Sequence, residues 1–335
     1  MKKFFVKILL VSFPIWVLVA LYLYKDPFKV LYHYDVFYKP GDSSPVTLNK
    51  DYVSTETFLQ NNPTYHYEAF AFGNSRSMFY EMDTWKKYIH TDRCFHYDAA
   101  AESMLGIYRK IRFLDSLHVN MKHALLVLDY ETLIQTAEYP GHLFMSHPTL
   151  SYRNWFSYQA DYVKTFFSPQ FLVAYVDYTL SGKVKPYMNA GFLLYDFPFD
   201  YSLKYNEMKL EKDEKIIHTN TKSYYDRKKM SVFYKRPDKQ QESDRVIYDK
   251  QVQMFQEIKR IFQKNHTQYK IVINPLYDQK KLNATDLAIL KNYFGENQVY
   301  DFSGINFITN DYHNYYEVSH YRPQVSRFIM GEIYK

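Results

Sequence analysis

A single cysteine, Cys94, stands in the 335 residues, so no disulfide can close within the chain and zinc sites built on paired cysteines are excluded. There is no glycine-rich phosphate-binding loop, which argues against a nucleotide enzyme. No internal repeat, low-complexity tract or Gly/Ser/Pro-rich linker marks a domain boundary. The 42 basic and 36 acidic residues are interspersed, so the net charge of +6 gathers into no basic patch, and no nucleic-acid partner is expected. His142 and His147 lie five apart, and His313 stands near Asp311 and His320. None of them has metal-ligand spacing, so neither a metal nor another cofactor is expected. Asp311 offers a second carboxylate to His320.

What is present begins at the N-terminus. Phe4 to Tyr24 is apolar apart from Lys7, Ser12 and the tyrosines at its far end. About 21 residues at roughly 1.5 Å each give about 31 Å, the thickness of a bilayer's hydrocarbon core. Lys2, Lys3 and Lys7 cluster before it and predict a cytoplasmic N-terminus with the remainder carried across the membrane. Trp16, Tyr22 and Tyr24 supply interfacial aromatics, and Pro14 is tolerated in a span. A cleaved signal peptide needs paired small residues before its cut, and only Ala20 is available. Residues 1–25 therefore read as a single-pass signal anchor, with residues 26–64 as a membrane-proximal neck that includes a turn at Pro40 to Pro45. Residues 65–335 read as one extracytoplasmic α/β domain.

Within that domain short apolar runs alternate with helical spacing. Tyr67 to Phe72, Cys94 to Tyr97, Ala124 to Asp129, Tyr269 to Pro275 and Val299 to Phe302 read as strands that end in polar or small residues. Helical patterns follow or precede them around Met78 to Tyr88, Ile107 to Leu114, Tyr248 to Lys264 and Pro323 to Ile333. This order predicts a parallel sheet with its site at the strands' C-terminal edge. Between the third and fourth strands, residues from about 136 to 245 are too many for one crossover. They form an expected insertion, helical around Tyr158 to Thr179, that walls the site and selects the substrate.

Two short segments carry candidate chemistry. Phe72-Gly73-Asn74-Ser75-Arg76-Ser77 follows the first strand and aims the Ser75 hydroxyl at the sheet's edge, beside backbone N–H groups that could hold an oxyanion. An Asn or Ser at such a turn is also a common helix cap. Near the far end, Glu317-Val318-Ser319-His320-Tyr321-Arg322-Pro323 sets a carboxylate three residues before a histidine. His320 is a candidate base for Ser75, and Glu317 a candidate to orient the imidazole.

These two segments resemble the first and closing blocks of the SGNH (GDSL-like) hydrolases, in particular the membrane-anchored branch that includes the D-alanyl-transfer protein of teichoic acid synthesis and the alginate O-acetylation proteins. The resemblance spans about residues 66–333 without the insertion. It implies a flavodoxin-like, three-layer fold and a Ser75 nucleophile with His320 and Glu317, acting on acyl esters beside a membrane-bound O-acyltransferase. Asn74 and Glu317 stand where the family usually has Asp. Ala99-Ala100-Ala101 and Asp129-Tyr130-Glu131 stand where its oxyanion glycine and asparagine blocks are expected. Gly73, Asn74, Arg76 and Asp129 are then the candidates for oxyanion or substrate contacts. The expected function is an extracytoplasmic serine-dependent O-acyltransferase or esterase acting on a cell-envelope polysaccharide. The alternative is an inactive glycan-binding or scaffold protein of an envelope acylation complex.

Overall fold

The computed structural model describes residues 2–38, 45–195 and 199–335, and gives the backbone alone for residues 2, 3, 5, 6, 8, 9, 192, 227 and 228. The turn expected at Pro40 to Pro45 falls almost wholly outside the described residues. The chain forms two compact units, Met1–Asn49 with Arg153–Phe197, and Lys50–Tyr152 with Pro198–Lys335.

The second unit is built on five parallel strands: β1 (Ala69–Gly73), β2 (Cys94–His96), β3 (His123–Leu128), β4 (Gln268–Ile273) and β5 (Val299–Asp301), in the order β2-β1-β3-β4-β5. Every strand expected from the sequence lies in this sheet. Alternation assigns the faces. Phe70, Phe72, Ala124, Leu126, Leu128, Ile271 and Ile273 pack on one side. That side is covered by α4 (Met104–Ser116), α7 (Asp249–Lys264) and α8 (Ala284–Phe294). Ala69, Ala71, Leu125, Val127 and Val272 face the other side, toward α3 (Met82–Ile89) and α9 (Pro323–Ile333). The result is a mixed α/β unit with helices on both faces of the sheet.

Residues 50–64, expected as part of the neck, belong to helix α2 (Lys50–Tyr65) of this unit. Its apolar spacing is blurred because the face it buries is partly polar. Ser54 donates to the Asp98 carbonyl at 2.9 Å, and Thr55 accepts from the Tyr97 hydroxyl at 3.1 Å. Phe58, fully buried, fills the space between Phe70, Phe95 and Tyr97.

The first unit holds α1 (Lys2–Lys25), together with α5 (Trp155–Phe166) and α6 (Pro169–Ser181). The helical stretch expected over Tyr158 to Thr179 is therefore two helices, broken where Ser168 caps the second and Pro169 opens it. The expected insertion is likewise divided: Arg153–Phe197 joins the N-terminal residues, and the rest stays with the sheet. Helix α1 covers the expected anchor. Six side chains of its first turns lie outside the described residues, and among the described residues no helix is long and apolar enough to cross a membrane.

Candidate active site

The sheet order reverses direction between β1 and β3, and in open α/β sheets ligands bind in the crevice at such a point. Ser75 follows β1 and Asp129 follows β3, so both sit at that crevice. Gly73 is required by close approach. A Cβ there would meet the Val127 carbonyl oxygen at 2.7 Å and the Ser77 Cβ at 2.8 Å. Beyond it, Asn74 caps a 3-10 turn over Ser75–Phe79 by accepting the Arg76 N–H at 3.0 Å, which turns Ser75 outward at the strand's end.

A hairpin delivers the other two groups. β6 (Tyr315–Glu317) pairs antiparallel with β7 (His320–Tyr321), so the tight loop Val318-Ser319 brings Glu317 opposite His320. The ladder shifts register between Tyr315 and Glu317. The Ser75 hydroxyl donates to His320 Nε2 at 2.9 Å, while Nδ1–H of the same ring donates to the Glu317 carboxylate. The second oxygen of Glu317 accepts the Ser319 N–H at 2.7 Å. Burial pushes the Glu317 carboxyl up, but the hydrogen bond from His320, the Ser319 N–H and the positive Lys229 outweigh it and hold Glu317 below its ordinary value. Glu317 is thus an ionised acceptor, which fixes the proton on Nδ1 and leaves the Nε2 lone pair for the serine.

The remaining sequence candidates form the scaffold of this line rather than its oxyanion contacts. Asp129 accepts Thr132 N–H at 2.8 Å, Asn74 Nδ2 at 3.0 Å and Arg76 Nη1 at 2.9 Å. Burial raises its carboxyl, and Arg76, Thr132 and Asn74 together bring it below the ordinary range. An ionised carboxylate accepts only, so Asp129 is no oxyanion donor. Asn74, buried, spends its amide on Asp129 and Thr132. The Arg76 side chain is 12 % exposed. It ties Asp129 and Glu131 after β3 to the Ser319 carbonyl at 3.0 Å, between Glu317 and His320. Arg76 therefore positions the hairpin.

Residues the sequence did not single out complete this scaffold. Asn274, closing β4, donates to Asp129 at 3.4 Å and accepts the Tyr321 hydroxyl at 2.9 Å. Thr132 lies three residues after Asp129 in a capping pattern that was legible. For the oxyanion, the Ser75 N–H meets no acceptor within the protein among the described residues. The loop after β2 lies against the same turn, since Ala99 N–H donates to the Gly73 carbonyl at 3.3 Å. Ala101 in this loop takes φ 47, a conformation usually left to glycine.

No family model, curated protein or solved structure matches this chain.

Beneath the serine turn, His96 is fully buried. Ser77 donates to the Asn74 carbonyl at 2.7 Å, so His96 Nε2–H donates to Ser77 at 3.0 Å and Nδ1 is left without a partner among the described residues. Burial lowers His96 to about 4 from 6.5. Below pH 6.5 the unfolded chain binds a proton that the folded chain refuses until about 4. Stability is therefore expected to fall as pH drops through that window, by up to about 3 kcal/mol. His96→Asn is expected to flatten this slope, which urea midpoints measured across the window will check.

Proposed function

We propose that the chain is a serine-dependent acyl-transfer enzyme, an O-acyltransferase or esterase of the SGNH type with a flavodoxin-like sheet. The observation that carries the reading is the unbroken line from Ser75 through His320 to Glu317. The strand order β2-β1-β3-β4-β5 agrees with it, being the flavodoxin-like order with the site at its switch point.

In the reaction, Ser75 Oγ attacks the acyl carbonyl as its proton passes to His320 Nε2, and a C–O bond forms. The developing oxyanion faces the Ser75 N–H. The imidazolium, stabilised by Glu317, then protonates the departing alkoxide, leaving an acyl-Ser75 ester. His320 next takes the proton of an acceptor hydroxyl, whose oxygen attacks the ester and frees Ser75. A sugar hydroxyl makes this a transferase, water an esterase.

The proposed acceptor or substrate is a cell-envelope polysaccharide, with a membrane-bound O-acyltransferase as the source of acyl groups. Half-buried Phe233 and Tyr312, packed on one another beside the closing hairpin over the buried Tyr225, offer aromatic surface to a sugar. Tyr225 donates to the Tyr315 carbonyl at 2.7 Å and packs on Tyr312 and His313, and Phe233 packs on Tyr312. Asp311 accepts from His313 at 2.8 Å, so Glu317 is the carboxylate of His320.

We read α1 as a single-pass anchor with the α/β unit outside the cytoplasm. Phe4, Leu10, Val11, Phe13, Ile15, Trp16 and Leu23 are all exposed along it, and a helix apolar all round needs an apolar solvent.

One observation favours the alternative of an inactive scaffold: the amides of Asn74 and Asn274 both serve Asp129, and neither is offered to an oxyanion. Complementing a deletion strain with Ser75→Ala separates the readings. Envelope polysaccharide with background acyl content supports the enzyme, and full acylation supports the scaffold.

A further inference from the structure

Beyond the site, the unit that holds α1 presents apolar surface of a second kind. Helices α5 and α6 bury Tyr158, Tyr162 and Phe166, and Phe171, Ala174 and Tyr175, on their inner faces. Part of each outer face is apolar too, beside exposed Ser157 and Lys164 on α5 and Gln170 and Thr179 on α6. On α6 the exposed positions Pro169, Val173, Val176 and Leu180 recur at intervals of four, three and four residues, a single stripe along the helix. Leu180 is 84 % exposed and Val173 60 %. On α5, Phe156, Ala160 and Val163 form a similar exposed stripe, with Phe156 at 81 %. A helix at a water-facing surface carries polar residues there.

The helices are too short to cross a bilayer. With 12 and 13 residues they run about 18 and 20 Å, against about 30 Å of hydrocarbon. What they are fastened to sets their level. Phe166, in the last turn of α5, packs on Tyr22 in the last turn of α1, ring centroids 5.0 Å apart. Phe28, just beyond α1, packs on Tyr162 at 5.4 Å and on Phe171 at 4.8 Å. Gln159 donates to the Val30 carbonyl at 2.8 Å. The helix pair is thus held at the end of α1 where the chain leaves the bilayer, the depth of the headgroups. Trp155, 43 % exposed at the start of α5, and Lys164 and Lys183 beside the stripes are residue types that settle at that depth.

We propose that α5 and α6 form a lipid-facing platform, lying in the headgroup–acyl boundary of the bilayer that α1 crosses, with the two stripes turned toward acyl chains. The proposal rests on the reading of α1 as an anchor. The stripes carry no charged or hydrogen-bonding group that would select a protein surface, which favours lipid as the occupant.

The test uses the full-length protein in phosphatidylcholine nanodiscs, with an environment-sensitive fluorophore at one introduced cysteine in turn: Leu180→Cys, Phe156→Cys, Val11→Cys on α1, and Gln253→Cys, an exposed position on α7. Cys94 is buried and spared by the label. Blue-shifted emission and strong quenching by nitroxide lipids at Leu180 and Phe156, with a water-like signal at Gln253, are expected. Quenching at Val11 with water-like signals at Leu180 and Phe156 would overturn the platform while leaving the anchor in place. Water-like signals at all four positions would overturn the anchor and the platform together.

Discussion

Ser75→Ala and His320→Ala are each expected to lower acyl-ester turnover by at least about a thousand-fold, and the double variant to be scarcely worse than either single. The reason is the 2.9 Å bond from the Ser75 hydroxyl to His320 Nε2. A hydroxyl near its ordinary acidity is a poor nucleophile, so the base without the serine and the serine without the base are equally ineffective. Glu317→Gln is expected to cost less, since the carboxylate orients the ring and stabilises the imidazolium without touching the reacting atoms. Initial rates on a small chromogenic acyl ester, together with envelope acyl content, give the comparison. Single effects that add in the double variant would mean that the two residues do not act as one unit.

The second large effect is one of stability. Lys110, on α4, is fully buried between the Asp51 carboxylate at 3.2 Å and that of Glu102, with the Tyr97 ring 5.0 Å away. Glu102 also accepts the Ser103 N–H at 2.9 Å, and it occupies the space beside Gly106 so fully that a Cβ there would fall 1.9 Å from its oxygen. Burial pulls the Lys110 ammonium down, but the two carboxylates more than restore it. Burial and the nearby Asp51 push Glu102 up, against the pull of Lys110. Lys110→Met keeps the length of the side chain and strands two buried carboxylates, at a cost of about 3–5 kcal/mol. Lys110→Met combined with Glu102→Gln is expected to recover part of this, because the double variant leaves one buried carboxylate, Asp51, without the ammonium where the single variant leaves two. Urea unfolding of the full-length protein in detergent, followed by tryptophan fluorescence, checks both. A loss below about 1 kcal/mol for the single variant would show that the ammonium does not hold the group together. Glu102 directly follows the Ala99-Ala100-Ala101 loop that lies against the serine turn, so the single variant is also expected to lose activity before it unfolds.

How much of this was legible in the sequence depended on how local the signal was. Each strand of the sheet is a short apolar run closed by a polar or small residue, and both faces of the sheet are covered, so the runs stand out. Ser75, Glu317 and His320 were visible because each lies in a short segment whose spacing has a chemical meaning. Asp129 was visible at the end of its strand, but its work was not. Whether a carboxylate contacts a substrate or anchors a scaffold depends on Asn74 and Arg76, which the fold brings from the turn after β1, and on Thr132 in the turn that Asp129 itself caps. Helix α2 was missed because its buried face holds Lys50, Asp51, Ser54 and Thr55, residues that a sequence reading assigns to solvent. Lys110 was hidden for the same reason: a lysine on an amphipathic helix reads as surface until two carboxylates from elsewhere close over it. The division of the long connection left no compositional mark, since neither Arg153 nor Phe197 borders a linker-like tract.

The proposed chemistry requires that Ser75 be a nucleophile activated by His320. Treating the full-length protein with a fluorophosphonate and mapping the adduct by mass spectrometry tests this directly. The expected result is a single adduct on Ser75 in the wild-type protein and almost none in His320→Ala, both proteins being folded. A wild-type protein that stays unlabelled, or that carries the adduct on another serine, would contradict it.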